Sequence, residues 1–256
     1  MTGYYVMKNI WIIANWKSNP VTFTEALKLA KASDFKNVII TPPYLYLEKV
    51  GKLIKKASLG AQNVFQEDGG PYTGEVSVSQ LKNLRVRYVI IGHSERRKHL
   101  GETDEMINKK VKLALGGGLK VILCVGEDWP TRRKGIVAAK KFVANQLKKD
   151  LAGVKKQERG SKNLLIAYEP IWSISTSTGK RVDTPRDARE MIWYIRKILD
   201  SNFQILPSVL YGGSVTPRNA KSFLSQSEVD GALVGGASLS PQSFRTIIKI
   251  RNSFEV

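Results

Sequence analysis

The chain has 256 residues, 42% of them hydrophobic, with 41 Lys+Arg against 22 Asp+Glu for a formal net charge of +19. That length and apolar content suffice for a large buried core, and no segment is polar or charge-blocked enough to read as disordered. Two His and one Cys are too few for zinc sites of the usual Cys/His spacing, and the lone Cys124 has no intramolecular disulfide partner.

Residues 1–8 read as a short leader, and the apolar stretch 10–14 is too short for a signal sequence or a membrane span, so the expected location is cytoplasmic. Residues 9–14 form a β-type run that ends at Asn15-Trp16-Lys17. Thr22 and Glu25 make a capping box before the helical spacing of Ala26, Leu29 and Ala30. A strand at 37–41, broken by Pro42-Pro43, precedes a helix at 44–56; a strand at 58–64 leads into a long Gly-containing loop at 65–74. A short helix at 77–84 and a strand at 87–92 follow, the latter ending in His93-Ser94-Glu95-Arg96-Arg97. Helix 103–115 stops at three consecutive glycines, a strong terminator. Strand Lys120–Val125 and a helix over 132–151 come next, then strand 163–168, which delivers Glu169 at its end. Thr184-Pro185 starts a helix whose apolar stripe is Ala188, Met191, Ile192, Ile195, Ile198 and Leu199. Strand 204–211, the turn Gly212-Gly213-Ser214, a second start at Thr216-Pro217, strand Gly231–Val234, Gly235-Gly236 and a final helix from Ser240-Pro241 complete the chain.

Eight β runs alternating with helical patterns imply parallel pairing through right-handed crossovers. An open doubly wound sheet competes with a closed barrel, but the Gly-x-Gly-x-x-Gly of dinucleotide binding is missing after the first strand. The expectation is therefore an α/β chain folded as a single eight-fold parallel β/α barrel domain over 1–256.

In such a barrel all strand C-termini open on one face. Asn15 and Lys17 follow the first strand, His93 and Glu95 the fourth, Glu169 the sixth, and glycine pairs the seventh and eighth. Singly these read as a solvated lysine, a buried imidazole and plain turns. Together they supply a base, a proton donor, a cation and backbone N–H groups. Glycine allows close backbone approach, and the loops after strands 7 and 8 are the usual phosphate site of this architecture, so a small phosphorylated ligand is expected.

Asn15-Trp16-Lys17, Gly92-His93-Ser94-Glu95-Arg96-Arg97, Ala167-Tyr168-Glu169-Pro170-Ile171-Trp172, Tyr211-Gly212-Gly213-Ser214-Val215 and 233–239 resemble, in order, the signature blocks of the triosephosphate isomerase family. The resemblance runs from residue 9 to the last helix and implies a TIM barrel. That family is itself the usual illustration of a glutamate base working with a neutral imidazole under a closing lid, so these roles come with the resemblance. It implies cofactor-free, metal-free isomerisation of D-glyceraldehyde 3-phosphate and dihydroxyacetone phosphate, a step of glycolysis and gluconeogenesis. Glu169 would be the base, although a free Glu with a pKa of about 4.3 is a weak one unless its surroundings change that. His93 would serve the two oxygens, Lys17 would offset the enediolate and phosphate charge, Asn15 would orient substrate, and Glu95 would pair with Lys17. N–H groups of Ser175, Ser214, Gly235 and Gly236 would hold the phosphate. Gln62-Asn63 and residues 65–75 resemble the family's dimer loop, with Thr73 entering the neighbouring subunit near its Asn15; a homodimer is expected, with a tetramer open.

One departure concerns the lid, where Ser175 and Ser177 stand at positions usually glycine. A serine forced to positive φ costs about 1 kcal/mol or more, so a differently poised lid with intact chemistry is expected. Cys124 reads as core. A larger sugar phosphate is an alternative substrate. A different reading takes the basic charge as a nucleic-acid surface; the scatter of Lys and Arg along the chain speaks against that, and no membrane partner is expected.

Overall fold

The computed structural model describes residues 9–155, 162–174 and 181–254. The leader at 1–8 and the lid positions Ser175, Ser177 and Thr178 lie outside the described residues. The chain runs β1 (Trp11–Asn15), α1 (Phe23–Ser33), β2 (Val38–Thr41), α2 (Leu47–Leu53), β3 (Ser58–Ala61), α3 (Val78–Asn83), β4 (Tyr88–Ile91), α4 (Ser94–Leu100), α5 (Asp104–Gly116) and β5 (Lys120–Val125). It continues with α6 (Trp129–Arg132), α7 (Ile136–Asp150), β6 (Leu164–Tyr168), α8 (Pro185–Phe203), β7 (Ser208–Tyr211), α9 (Ala220–Leu224), β8 (Gly231–Val234) and α10 (Pro241–Asn252). Each strand pairs in parallel with the next, and β8 returns to β1 in the register Ile12↔Ala232, Ile13↔Leu233, closing the barrel.

Two-residue periodicity sorts the strand side chains into two cores. Ile13, Ile90, Ile122, Cys124, Leu165 and Ala167 point inside the barrel. Ile12, Ala14, Val89, Ile91, Val121, Leu123, Leu164 and Ile166 point outward against the helices. Burying each Val, Leu or Ile contributes about 1.5–3 kcal/mol, so both layers hold the ring closed. The same alternation aims the next inward positions at the open end: Asn15 follows Ile13, and Glu169 follows Leu165 and Ala167. The helix starts follow the capping rules. Thr184 accepts from Asp187 N–H at 3.1 Å with Pro185 in the first turn of α8, and the predicted stripe of α8 is its buried face.

Three elements differ from the sequence reading. The helix expected over 132–151 is two, because Asp128 caps α6 and Gly135, at φ 101°, turns the chain before α7. The segment after β4, which the sequence reading assigned to no helix, folds into α4, with His93 at its N-cap. Pro217 does not start a helix; α9 begins at Ala220, after Asn219 has folded back on the turn before it.

Candidate active site

A cavity of about 180 Å³ at the C-terminal end of the barrel is lined by Asn15, Lys17, His93, Glu169, Ser214, Gly235 and Gly236. Seven of the residues singled out in the sequence thus share one wall-to-wall space. Ile174, Gly212, Gly213, Val215, Thr216, Leu233 and Ala237 complete the lining. Glu95 lies beside this cavity, and its Oε1 is 2.5 Å from Lys17 Nζ. Thr73 stands apart on the exposed loop between β3 and α3. Ser175 lies outside the described residues.

Glu169 is 2% exposed. Its Oε2 accepts from Ser94 N–H at 2.8 Å, and its Oε1 is 3.1 Å from His93 Nε2, off the axis of a hydrogen bond. The backbone around it leaves no room for side chains. A Cβ on Gly126 would sit 1.7 Å from the Glu169 carbonyl oxygen, and one on Gly212 would sit 2.9 Å from Glu169 Cγ. These two glycines serve the packing of the carboxylate as well as the ligand space.

His93 caps α4 through its ring: Nδ1 accepts from Glu95 N–H at 3.2 Å. With Nδ1 an acceptor, the ring proton belongs on Nε2, which points at Glu169 and the cavity. Lys17 adopts φ 53°, unusual for a residue with a side chain. Asn15 Oδ1 accepts its N–H at 3.1 Å, and Gln62 Nε2 donates to its carbonyl at 2.8 Å and to that of Thr41 at 2.9 Å. The cation is therefore held in a sterically costly conformation by two flanking amides.

Opposite the carboxylate, the chain after β8 turns through a 3₁₀ segment, Gly236–Leu239, pinned by Ser238 Oγ donating to Gly235 O at 2.6 Å. After β7, Asn219 braces the turn: its Oδ1 accepts from Thr216 N–H at 2.7 Å and its Nδ2 donates to Ser214 O at 2.8 Å. The sequence reading gave Ser94, Gly126 and Asn219 no role and placed Gln62 with the dimer loop. Ser94 and Gly126 act through backbone, and Gln62 and Asn219 act on loops, so no side-chain pattern marked their part in the site.

The cavity offers a carboxylate, an imidazole N–H, an ammonium and glycine-rich backbone around a space for one small anion. That set can move a proton between adjacent carbons of a phosphorylated carbonyl compound. The sequence profile of the family described as triosephosphate isomerase matches residues 10–251. A triosephosphate isomerase from Dictyoglomus thermophilum is 44% identical over 255 residues, covering 95% of this chain and 100% of the relative. One from Thermoanaerobacter pseudethanolicus is 43% identical over 254 residues, covering 94% and 99%. One from Aquifex aeolicus is 41% identical over 251 residues, covering 93% and 97%.

Proposed function

The chain belongs to the triosephosphate isomerase family, and from that membership we infer that it interconverts D-glyceraldehyde 3-phosphate and dihydroxyacetone phosphate, an aldose–ketose isomerisation of glycolysis. Glu169 removes the proton from the carbon next to the carbonyl and returns it to the neighbouring carbon. His93 Nε2–H polarises the carbonyl oxygen and passes protons between the two oxygens of the enediolate. Lys17 lies where it offsets the negative charge of the enediolate and the phosphate, and Glu95 orients its ammonium. Asn15 positions the substrate while its Oδ1 fixes the Lys17 backbone. The phosphate is held by N–H groups of Ser214, Gly235 and Gly236, with Ser175 assigned to the same role. The observation that carries this reading is the buried Glu169 carboxylate 3.1 Å from His93 Nε2 in a cavity walled by glycines. The Ser94 N–H draws one oxygen of that carboxylate aside, so proton abstraction requires Glu169 to release it.

The test is coupled isomerase activity on glyceraldehyde 3-phosphate. Glu169→Gln keeps the shape and removes the base, and kcat should fall by about 10²–10⁴-fold or more with the fold intact. Turnover unchanged by that substitution would overturn the assignment of the base.

A homodimer is part of the same proposal. The loop carrying Thr73 is exposed, and an open groove of about 320 Å³ runs beside Asn15, Lys17, Gln62, Glu95, His99 and Leu100, which supports entry of a partner's loop there. Leu100, 61% exposed, lines that groove. Thr73→Arg should shift the sedimentation of the protein to the monomer and lower activity in parallel. A cytoplasmic location follows from the glycolytic role; among the described residues no helix is long and apolar enough to cross a membrane.

A further inference from the structure

Beside the reacting groups lies a second set of ionisable side chains, two of them buried, that the isomerisation does not use. Glu127, Asp183 and Asp187 face one guanidinium, that of Arg132, whose Nη1 is 3.6 Å from Glu127 Oε1 and whose Nη2 is 3.4 Å from Asp187 Oδ1. Glu127 is fully buried, and it accepts from Trp172 Nε1 at 2.9 Å and from the Tyr168 hydroxyl at 3.1 Å. Asp183 is also buried, yet neither of its carboxylate oxygens makes a well-formed hydrogen bond among the described residues. They face Asp187, Arg132, Glu127 and the Tyr211 hydroxyl. Tyr211 is itself fixed, its ring stacked on Phe223 with centroids 4.1 Å apart.

The Asp183 backbone is firmly placed: its N–H donates to Ser173 Oγ at 2.8 Å. That bond joins the two ends of the segment 174–182. Its near end is Ile174, bonded to Ser173 and lining the reaction cavity. Two buried acids, Glu127 and Asp183, and the partly exposed Asp187 share one guanidinium, so buried negative charge is left uncompensated if all ionise, and an unpaired buried charge is costly. Burial, with Asp187 and then Glu127 adding to it and Arg132 opposing, pushes the Asp183 carboxyl up to about 7. Burial raises Glu127 as well.

We propose that Asp183 is a positioning residue for the isomerase: while its carboxyl is neutral its N–H holds Ser173 Oγ, and its ionisation breaks that bond and shifts Ile174 at the cavity wall. Among the described residues the cation that acts on this carboxylate is Arg132, which Glu127 and Asp187 share. A buried carboxylate that ionises without a full partner is drawn toward water. Reaching water moves the Asp183 backbone and breaks the bond to Ser173. The proposal rests on the reading of the cavity as a triose phosphate site.

The experiment compares KM and kcat of the full chain with Asp183→Asn and Asp183→Ala across about pH 5.5 to 9. Titration of the shared active site and of the substrate phosphate is common to all three proteins and cancels in the ratios. Near the acid end the wild type and Asp183→Asn should have equal KM. At the alkaline end the wild-type KM should exceed that of Asp183→Asn by about two- to tenfold, the span of one hydrogen bond made or lost. Asp183→Ala should be similarly insensitive to pH, which guards against a misfolded Asn variant. Ser173→Ala removes the acceptor without touching the titrating group, so it should reach at low pH the KM that the wild type reaches only at high pH. KM ratios constant across the pH range would overturn the role of Asp183 alone. Absence of turnover in the wild type at every pH would overturn the isomerase reading and this role with it.

Discussion

Asn15 and Glu169 face the cavity because they continue the inward alternation of β1 and β6, whereas Lys17 and His93 reach it from the turns after β1 and β4; all four were legible as chemically distinctive side chains following strands. Gly126 was not legible: its requirement arises from a backbone carbonyl 43 residues further on, 1.7 Å from where its Cβ would lie. Gly126→Ala should therefore displace the Glu169 backbone, lowering stability by about 1–3 kcal/mol and activity more than stability alone explains. Denaturant unfolding together with kcat would separate the two losses. Asp183 gives a second residue-level prediction, independent of turnover. Its carboxyl titrates at about 7 in the folded protein against an ordinary 3.8, so between those values the folded chain binds more protons than the unfolded one. Stability contributed at this site falls as pH rises through that window and levels above it. Asp183→Asn removes the titration. Its melting temperature relative to wild type should rise between about pH 4 and pH 7 and stay high beyond; a constant difference would contradict the burial argument.

Helices with strong starts were read with good bounds, because a capping side chain plus Pro is a local signal. Thr184-Pro185 begins α8, and Ser240 accepts from Ser243 N–H at 3.3 Å to begin α10. The same signal misled at Thr216-Pro217. There Asn219 bonds back to Thr216 and Ser214, which spends the turn on shaping the cavity and delays α9 to Ala220. α4 was missed because its cap is an imidazole, outside the usual Ser, Thr, Asp and Asn, and its run of Arg and Lys gives no apolar stripe. If the turn after β7 holds the substrate phosphate, Asn219→Ala should loosen it without touching the reacting groups. A loss of about 1 kcal/mol, one net hydrogen bond, raises KM about fivefold with kcat nearly unchanged. A fall confined to kcat would place Asn219 in the chemistry instead.

The net charge of +19 belongs to no single element. Exposed Lys and Arg stand on α1, α2, α5, α7, α8 and α10. A field of one sign around a cavity that binds a small anion speeds encounter, and salt screens it. Between about 10 and 200 mM monovalent salt, kcat/KM for the phosphorylated substrate should fall several-fold while kcat holds; an unchanged kcat/KM would mean that the charge plays no part in capture. The pairing of β1 with β8 bears on folding as well as shape. Asn15, Lys17 and His93 come from the first half of the ring, and Glu169, Ser214 and Gly235 from the second, so neither half alone holds a working set. A ring also has no unpaired rim until its last seam is missing, and then it has two. Any partly folded species thus combines an exposed template for aggregation with an incomplete catalytic set, and recovery of turnover after dilution from denaturant would time the closing of that seam.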